Sequence, residues 1–227
     1  MSSKPLVSIL TATTGNDLLI DTLKSVNNQT YTNIQHLIFV DGEERREKTQ
    51  KILDQVEVRD GVRRDVVYLP YSIGKDRWNG HRIYGAGTFV SDGDYLMFLD
   101  DDNFMQPNHI ETCMATIGEK PWTFSLRRIV DKDRNFICND DCESLGMWPS
   151  VLNDEDYFVD VNCFFVSRYV ATTILPVWYR KFREPGVMEI DRAIMKVLRT
   201  YFIDYECTRE YSINYTVGNT ENSVKVS

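Results

Sequence analysis

Tyr95-Leu96-Met97-Phe98-Leu99 runs directly into Asp100-Asp101-Asp102-Asn103. Five apolar residues in a row read as a strand buried on both faces. Ligands of open α/β sheets bind outside the carboxyl ends of strands, where these three carboxylates fall. Like charges crowded there repel one another unless a cation sits among them. A set of oxygen ligands favours Mg²⁺ or Mn²⁺ over zinc. The plain alternative is a solvated acidic turn that caps the next helix.

Upstream, the sequence supplies the rest of a parallel sheet. Leu6 to Ala12 is a β-branched apolar run, followed by a Thr13-Thr14-Gly15-Asn16 loop. Leu19, Leu23 and Val26 then recur at helical spacing, with Asn16 or Asp17 as the cap. His36 to Val40 is a second strand ending in Asp41-Gly42, and Asp65 to Leu69 is a third. Between these two strands lies a charged helix from Glu44 to Val56, and a further helix spans Trp78 to Ser91. Strands alternating with helices imply βαβ units and a mainly parallel sheet. Asp41 would then share a rim with the acidic triplet. Between them in sequence lie Lys75, Arg77, His81 and Arg82, a basic patch in an acidic chain. With a metal ion, Lys75 and Arg82 can neutralise a diphosphate; alone, the patch is an ordinary exposed helix start.

The second half is less regular. Ile110 to Ile117 reads as a helix, Trp122 to Val130 and Phe136 to Cys138 as a hairpin, and Val161 to Val166 as an apolar strand. Glu189 to Thr200 is an amphipathic helix, and Tyr201 to Val217 is Tyr-rich and strand-like. Trp148 can stack on a sugar or plug the edge of the core; Tyr201, Tyr205, Tyr211 and Tyr215 read chiefly as packing. The expectation is one domain over residues 1–227, with a nucleotide half at 1–103, an acceptor half at 104–217 and a polar tail at 218–227.

Bulk properties narrow the function. With 227 residues the chain can bury a core without staples, and a net charge of -8 argues against a nonspecific nucleic-acid partner. The five cysteines are odd in number and scattered, so free thiols are expected. Cys138 and Cys142 alone make a weak zinc signal. Lys4-Pro5 leads straight into a strand with no signal-peptide pattern. No apolar run approaches the ~18 residues of a membrane span. A cytoplasmic protein is expected.

The motifs also carry a resemblance. Val7-Ser8-Ile9 with Thr11 and Thr13, Leu23 to Tyr31 (LKSVNNQTY), Asp41-Gly42, and Gly93-Asp94-Tyr95 leading to Asp100-Asp101-Asp102 together resemble the family 2 glycosyltransferases of the GT-A fold. The likeness covers roughly residues 5–110. It implies an α/β/α sandwich, a nucleoside-diphosphate sugar donor, a carbohydrate or glycoconjugate acceptor, and Mn²⁺ or Mg²⁺ as cofactor. It places Thr11, Thr13 and Asp41 at the nucleobase, with Asp41 accepting the ring N–H. It puts Asp100 and Asp102 at the metal, Asp102 as direct ligand, and Asp101 near the ribose. It sets the general base at the start of a late helix, at Asp191 in preference to Glu189. Acids at a helix start also simply complement its dipole. Were both dispensable, the base would lie elsewhere, among Asp154, Glu155, Asp156 or Asp160.

The chain departs from the family's pattern in two places. Trp78 to Tyr84 replaces the common Arg-Asn segment, and no His follows His109 to add a late metal contact. The resemblance further implies inversion at the anomeric carbon and UDP as the nucleotide. Two other functions use similar residues. A Mg²⁺-dependent phosphotransferase fits poorly, since Phe104 stands where a phosphatase needs Thr or Val and Ala12-Thr13-Thr14-Gly15 is no Gly-rich basic loop. A non-catalytic nucleotide-sugar or carbohydrate-binding domain on the same fold is the other.

Overall fold

The computed structural model describes residues 4–75, 78–146, 158–180 and 190–218. β1 (Val7–Thr13), α1 (Leu19–Asn27), β2 (Ile34–Val40), α2 (Arg46–Leu53), β3 (Val62–Tyr68), α3 (His81–Val90) and β4 (Tyr95–Phe98) form the first half. Their strands lie in the order β3-β2-β1-β4, all parallel. The second half adds β5 (Phe104–Met105), α4 (His109–Ile117), β6 (Trp122–Val130), β7 (Phe136–Asn139), β8 (Phe164–Ser167), α5 (Arg168–Ile174), α6 (Ile190–Tyr201) and β9 (Tyr205–Thr216). These extend the sheet as β4-β8-β6-β9-β5, with β7 on the side of β6. This extension is antiparallel except where β6 runs parallel to β9. The result is one nine-stranded mixed sheet, parallel where the nucleotide half was expected.

Every residue of β2 is buried, because helices cover both faces of the sheet there. Ile38 packs with Leu19, Leu23, Ile52 and Leu53 under α1 and α2. Phe39 points the other way, toward α3, where Gly87 lets the helix approach: a Cβ at that position would lie 2.8 Å from the Phe39 ring. α6 buries Ile190, Ala193, Ile194 and Leu198, a stripe at helical spacing.

Several expected boundaries shift. Asn16 does not cap α1; its side chain accepts from the Leu18 N–H at 3.1 Å, which shapes the preceding turn. Trp78 to Gly80 form a turn, with Asn79 at a φ of 46°, so α3 begins at His81. Val161–Cys163 is a 3₁₀ turn rather than the start of a strand, because the Asp160 side chain caps it by accepting from Asn162 N–H. Tyr201 closes α6 instead of opening β9.

Strand register brings the site together. Leu10 stands opposite Phe98, and Thr13 opposite Val40. Thr13, Asp41 and the acidic triplet therefore end on one rim. After β3 the chain crosses back over β2 and β1 to lay down β4, so the strand order reverses between β1 and β4. That is the switch point at which open α/β sheets bind ligands.

Candidate active site

Thr13 and Asp101 span the switch point. The Thr13 hydroxyl donates to Asp101 Oδ2 at 2.6 Å and accepts from the Gly15 N–H at 3.0 Å. Burial raises the Asp101 carboxyl above its ordinary value, against hydrogen bonds from Thr13, Thr14 and Asn16. Asp100 is held more tightly. Tyr84 OH donates to its Oδ1 at 2.5 Å and Asn162 Nδ2 to its Oδ2 at 2.8 Å. Its backbone N–H donates to Asn162 Oδ1 at 2.7 Å. Burial, then the nearby Asp160 carboxylate, pushes Asp100 up to about 6 despite those donors. Burial and the same Asp100 charge push the Tyr84 phenol well above its usual range. Asp102 is anchored through its backbone, whose carbonyl accepts from Thr216 Oγ1 at 2.5 Å.

Asp41 lies 4% exposed at the next strand end. Its Oδ1 accepts from Ile73 N at 2.7 Å, and its Oδ2 from Ser72 Oγ at 2.8 Å and Gly74 N at 3.0 Å. It thus ties the loop after β3 to the rim. A carboxylate has about four acceptor positions; these three bonds fill three, and Arg45 Nη1 makes an ion pair with Oδ2 at 3.7 Å. Lys75 is exposed at the end of this loop. Arg82, in the first turn of α3, lays its guanidinium on the Trp78 ring at 3.4 Å. A Cβ on Gly80 would lie 3.1 Å from Ala12 Cβ, so α3 starts against the end of β1. Thr11 is not brought to the rim: it is buried one layer down, its hydroxyl paired with His36 Nε2 at 3.0 Å. Burial, then the Arg64 charge, lowers His36 to about 3 and keeps it neutral.

Behind the triplet lies a buried ion-pair unit. Arg127 on β6 donates from Nε to Asp140 at 2.7 Å, from Nη1 to Asp160 at 2.7 Å and from Nη2 to Glu143 at 2.8 Å. Its guanidinium rests on the Tyr215 ring at 4.3 Å. Burial opposes the Arg127 charge, but the carboxylates of Asp160, Asp140 and Glu143 outweigh it and raise its pKa. Asp160 also accepts from Asn162 N and Nδ2, so it is committed to structure rather than available as a base. Glu143 passes its other oxygen to Arg192 Nη2 at 3.0 Å.

Asp191 precedes Arg192 in the first turn of α6, partly buried, with Oδ1 accepting from the Arg192 N–H at 2.8 Å. Glu189 lies outside the described residues, as do Asp76, Arg77, Trp148, Asp154, Glu155 and Asp156.

Sequence reading missed Tyr84, Asn162 and Arg127, and took Tyr215 chiefly as packing. Tyr215 does pack, and its ring also carries the Arg127 guanidinium; burial, then the Asp160 charge, raises its phenol pKa against the Arg127 charge. Arg127 left one visible sign, a charged pair Arg127-Arg128 inside an apolar strand. Tyr205 stacks on Trp122 at 4.3 Å and Tyr201 is exposed on α6. All five cysteines are free, as their spacing suggested.

Carboxylate oxygens are the donors that hard divalent ions take. Asp100 and Asp101 receive hydrogen bonds from neutral groups, so these bonds leave their charge uncompensated. Among the described residues no group of three or more His, Cys, Asp or Glu side chains is arranged to hold a metal ion. An ion held here would complete its shell with water or phosphate oxygens, as Mg²⁺ commonly does.

A parallel half-sheet with an acidic rim at its switch point is the ligand-binding edge of an open α/β domain. Residues 8–141 match the profile described as glycosyl transferase family 2, and the chain belongs to that family, an enzyme family of glycosyltransferases. Its fold is similar to that of S. aureus TarS. The crystal structure of TarS 1-349 in complex with UDP-GlcNAc superposes with a TM-score of 0.66 at 13% identity, covering 98% of this chain and 62% of that one. TarS 1-349 in complex with UDP gives a TM-score of 0.63 at 10% identity, covering 93% and 60%. A further TarS structure gives 0.62 at 11% identity, covering 93% and 37%. This chain thus spans about six-tenths or less of each of these relatives. At such identities the likeness establishes the GT-A fold. No curated protein matches the chain. Among the described residues no helix is long and apolar enough to cross a membrane.

Proposed function

We propose that this chain transfers a sugar from a UDP-sugar to a hydroxyl of a carbohydrate or glycoconjugate acceptor, with inversion and with Mn²⁺ or Mg²⁺ as cofactor. The observation that carries this reading is the meeting of Thr13, Asp41 and Asp100 to Asp102 at the β1/β4 switch point. The UDP and UDP-GlcNAc complexes of the similar TarS structures support the choice of nucleotide.

In this reading Asp41 and the loop at residues 72–74 receive the base, and Asp101 with Thr13 lies beside the ribose. Lys75 and Arg82 flank the diphosphate. Asp102, with Asp100, would hold the ion, which when bound supplies charge stabilisation for the departing diphosphate. Asp191 takes the proton of the acceptor hydroxyl as its oxygen bonds to the anomeric carbon. The bond from that carbon to the diphosphate oxygen breaks in the same displacement, which inverts the centre.

The test is calorimetric titration of UDP with Mn²⁺ and with EDTA, on the wild-type protein and on Asp102→Ala. The expected result is tight binding only with Mn²⁺, lost in the variant. Equal affinity under all conditions would overturn the metal assignment. Release of UDP from UDP-sugars only when an acceptor glycan is added separates a transferase from a binding domain.

A further inference from the structure

Asn162 is fully buried, and every polar atom of its side chain is used. Oδ1 accepts from the backbone N–H of Asp100 at 2.7 Å, while Nδ2 donates to Asp100 Oδ2 at 2.8 Å and to Asp160 Oδ1 at 2.7 Å. The partners fix the orientation of the amide. Turned over, it would set its oxygen against two carboxylates and its NH₂ against an N–H. The site needs one acceptor and two donors on one short side chain, which Asp, Leu and Ser do not supply. Both ends of Asp100, backbone and carboxylate, are therefore registered by one residue that reaches across from the turn before β8.

Asn162 is itself held from behind. Asp160 accepts from its backbone N–H at 2.9 Å and from Arg127 Nη1 at 2.7 Å. Arg127 is 3% exposed and spends its three nitrogens on three different carboxylates. Only a planar guanidinium fork makes such divergent bonds at once; a lysine ammonium is a single point charge. From Arg127 the connection continues through Glu143 to Arg192, the residue after Asp191. One unbroken series of bonds thus runs from the acidic triplet to the first turn of α6.

We propose that Asn162 and Arg127 are positioning residues for the transfer site, Asn162 setting the Asp100 carboxylate and Arg127 locking Asn162 through Asp160. The same Arg127 ties that unit to the helix that carries Asp191. This rests on Asp100 belonging to the donor site. Groups that orient metal-binding carboxylates from behind typically change metal affinity by about 10- to 100-fold when removed. Rigid hydrogen-bonded elements of this kind act as one body, so the two residues are coupled rather than independent.

The experiment measures UDP affinity with Mn²⁺ and with EDTA, alongside thermal unfolding, for wild type, Asn162→Ser, Arg127→Lys and the double variant. Each single substitution is expected to weaken Mn²⁺-dependent binding about tenfold or more, with the affinity in EDTA unchanged. A merely structural role would lower both affinities together. The double variant is expected to bind no worse than the weaker single variant. Wild-type affinity in the single variants, or losses that multiply in the double, would overturn the proposal. Should Arg127→Lys not fold, Asp160→Asn cuts the same link at its middle and is read by the same assay. If wild type binds UDP equally in EDTA, the metal assignment fails, and unchanged UDP affinity in Asn162→Ser then overturns the positioning role on its own. A wild-type protein that binds no UDP overturns the donor reading and this proposal with it.

Discussion

Replacing Arg127 with methionine keeps roughly the volume of the side chain and removes its charge. Three carboxylates then lose a partner, and they are not equivalent. The side chains of Asp140 and Asp160 are 3% and 8% exposed, so water cannot replace the guanidinium without opening the structure. Glu143 is 23% exposed and also paired with Arg192, so it rehydrates at small cost. The penalty therefore comes mainly from two buried carboxylates. Breaking a buried ion pair from one side typically costs about 3–5 kcal/mol, and about 4 kcal/mol is expected here. For a chain of this size 1 kcal/mol moves the unfolding midpoint by about 2–4 °C, so Arg127→Met should unfold roughly 8–16 °C lower at pH 7.

The pH dependence adds a second check. Burial works against the Asp140 charge, but Arg127 and the backbone N–H groups of Glu143, Cys142 and Ser144 overcome it and hold the carboxyl below its ordinary value. A carboxyl lowered by folding contributes stability above its unfolded value, near pH 4, and that contribution is lost as pH falls through the folded value. In Arg127→Met the Arg127 charge is gone and burial regains weight, so the Asp140 carboxyl rises. Protonation then favours the folded variant, and its deficit against wild type should shrink as pH is lowered from 7 toward 4. Calorimetric unfolding across this range tests both parts. A deficit under ~1 kcal/mol at pH 7 would refute the claim that these carboxylates depend on Arg127. A large deficit that does not change with pH would refute the electrostatic account of it.

Two further outcomes test the assigned roles. Asp41→Ala should weaken UDP binding about tenfold or more, because one lost charge-assisted bond to a base N–H is worth about 1.5–3 kcal/mol. It should still fold, with a lower unfolding midpoint because the Ser72, Ile73 and Gly74 bonds are also lost; normal UDP affinity, with no preference across a panel of nucleoside diphosphates, would place the base elsewhere. Asp191→Asn should bind UDP as wild type does while transfer falls by about 10² or more, the usual contribution of a positioned base. Glu189→Gln should do much less. Steady-state transfer by both variants decides between them, and two active variants would remove the base from this helix start.

The nucleotide half was legible because its structure is local. Parallel strands covered on both faces appear as apolar runs, and Leu6 to Ala12, His36 to Val40 and Tyr95 to Leu99 all lie where such runs predicted. The Asp41 and Asp100 rim followed from the alternation of strands and helices, which implies parallel strands. What could not be read depends on distant partners. Arg127 finds its carboxylates 13, 16 and 33 residues away, two on the turn after β7 and one before β8. Val161-Asn162-Cys163 has the composition of a strand and forms a 3₁₀ turn, since Asp160 caps it and Asn162 reaches 62 residues back to Asp100. Tyr84 lies on the buried face of α3, and its hydroxyl is a partner of Asp100. Periodicity reports which face is buried. It does not report which polar atom on that face is met by another.

The two groups of carboxylates in this molecule are treated in opposite ways. Asp140, Asp160 and Glu143 are compensated by a buried guanidinium, and the Asp140 carboxyl is lowered accordingly. Asp100, only one residue-link away through Asn162, receives a phenol and an amide and rises to about 6. A sequence selected only for stability would gain by placing a cation, or an apolar residue, beside Asp100, since an uncompensated buried carboxylate costs free energy. The neutral donors hold its geometry without neutralising it. Arg127 fulfils its role at a distance, fixing the frame while leaving the charge at the rim unspent. That division of labour fits the proposed binding of a cation and a diphosphate at this rim, and a solvated turn would not account for it.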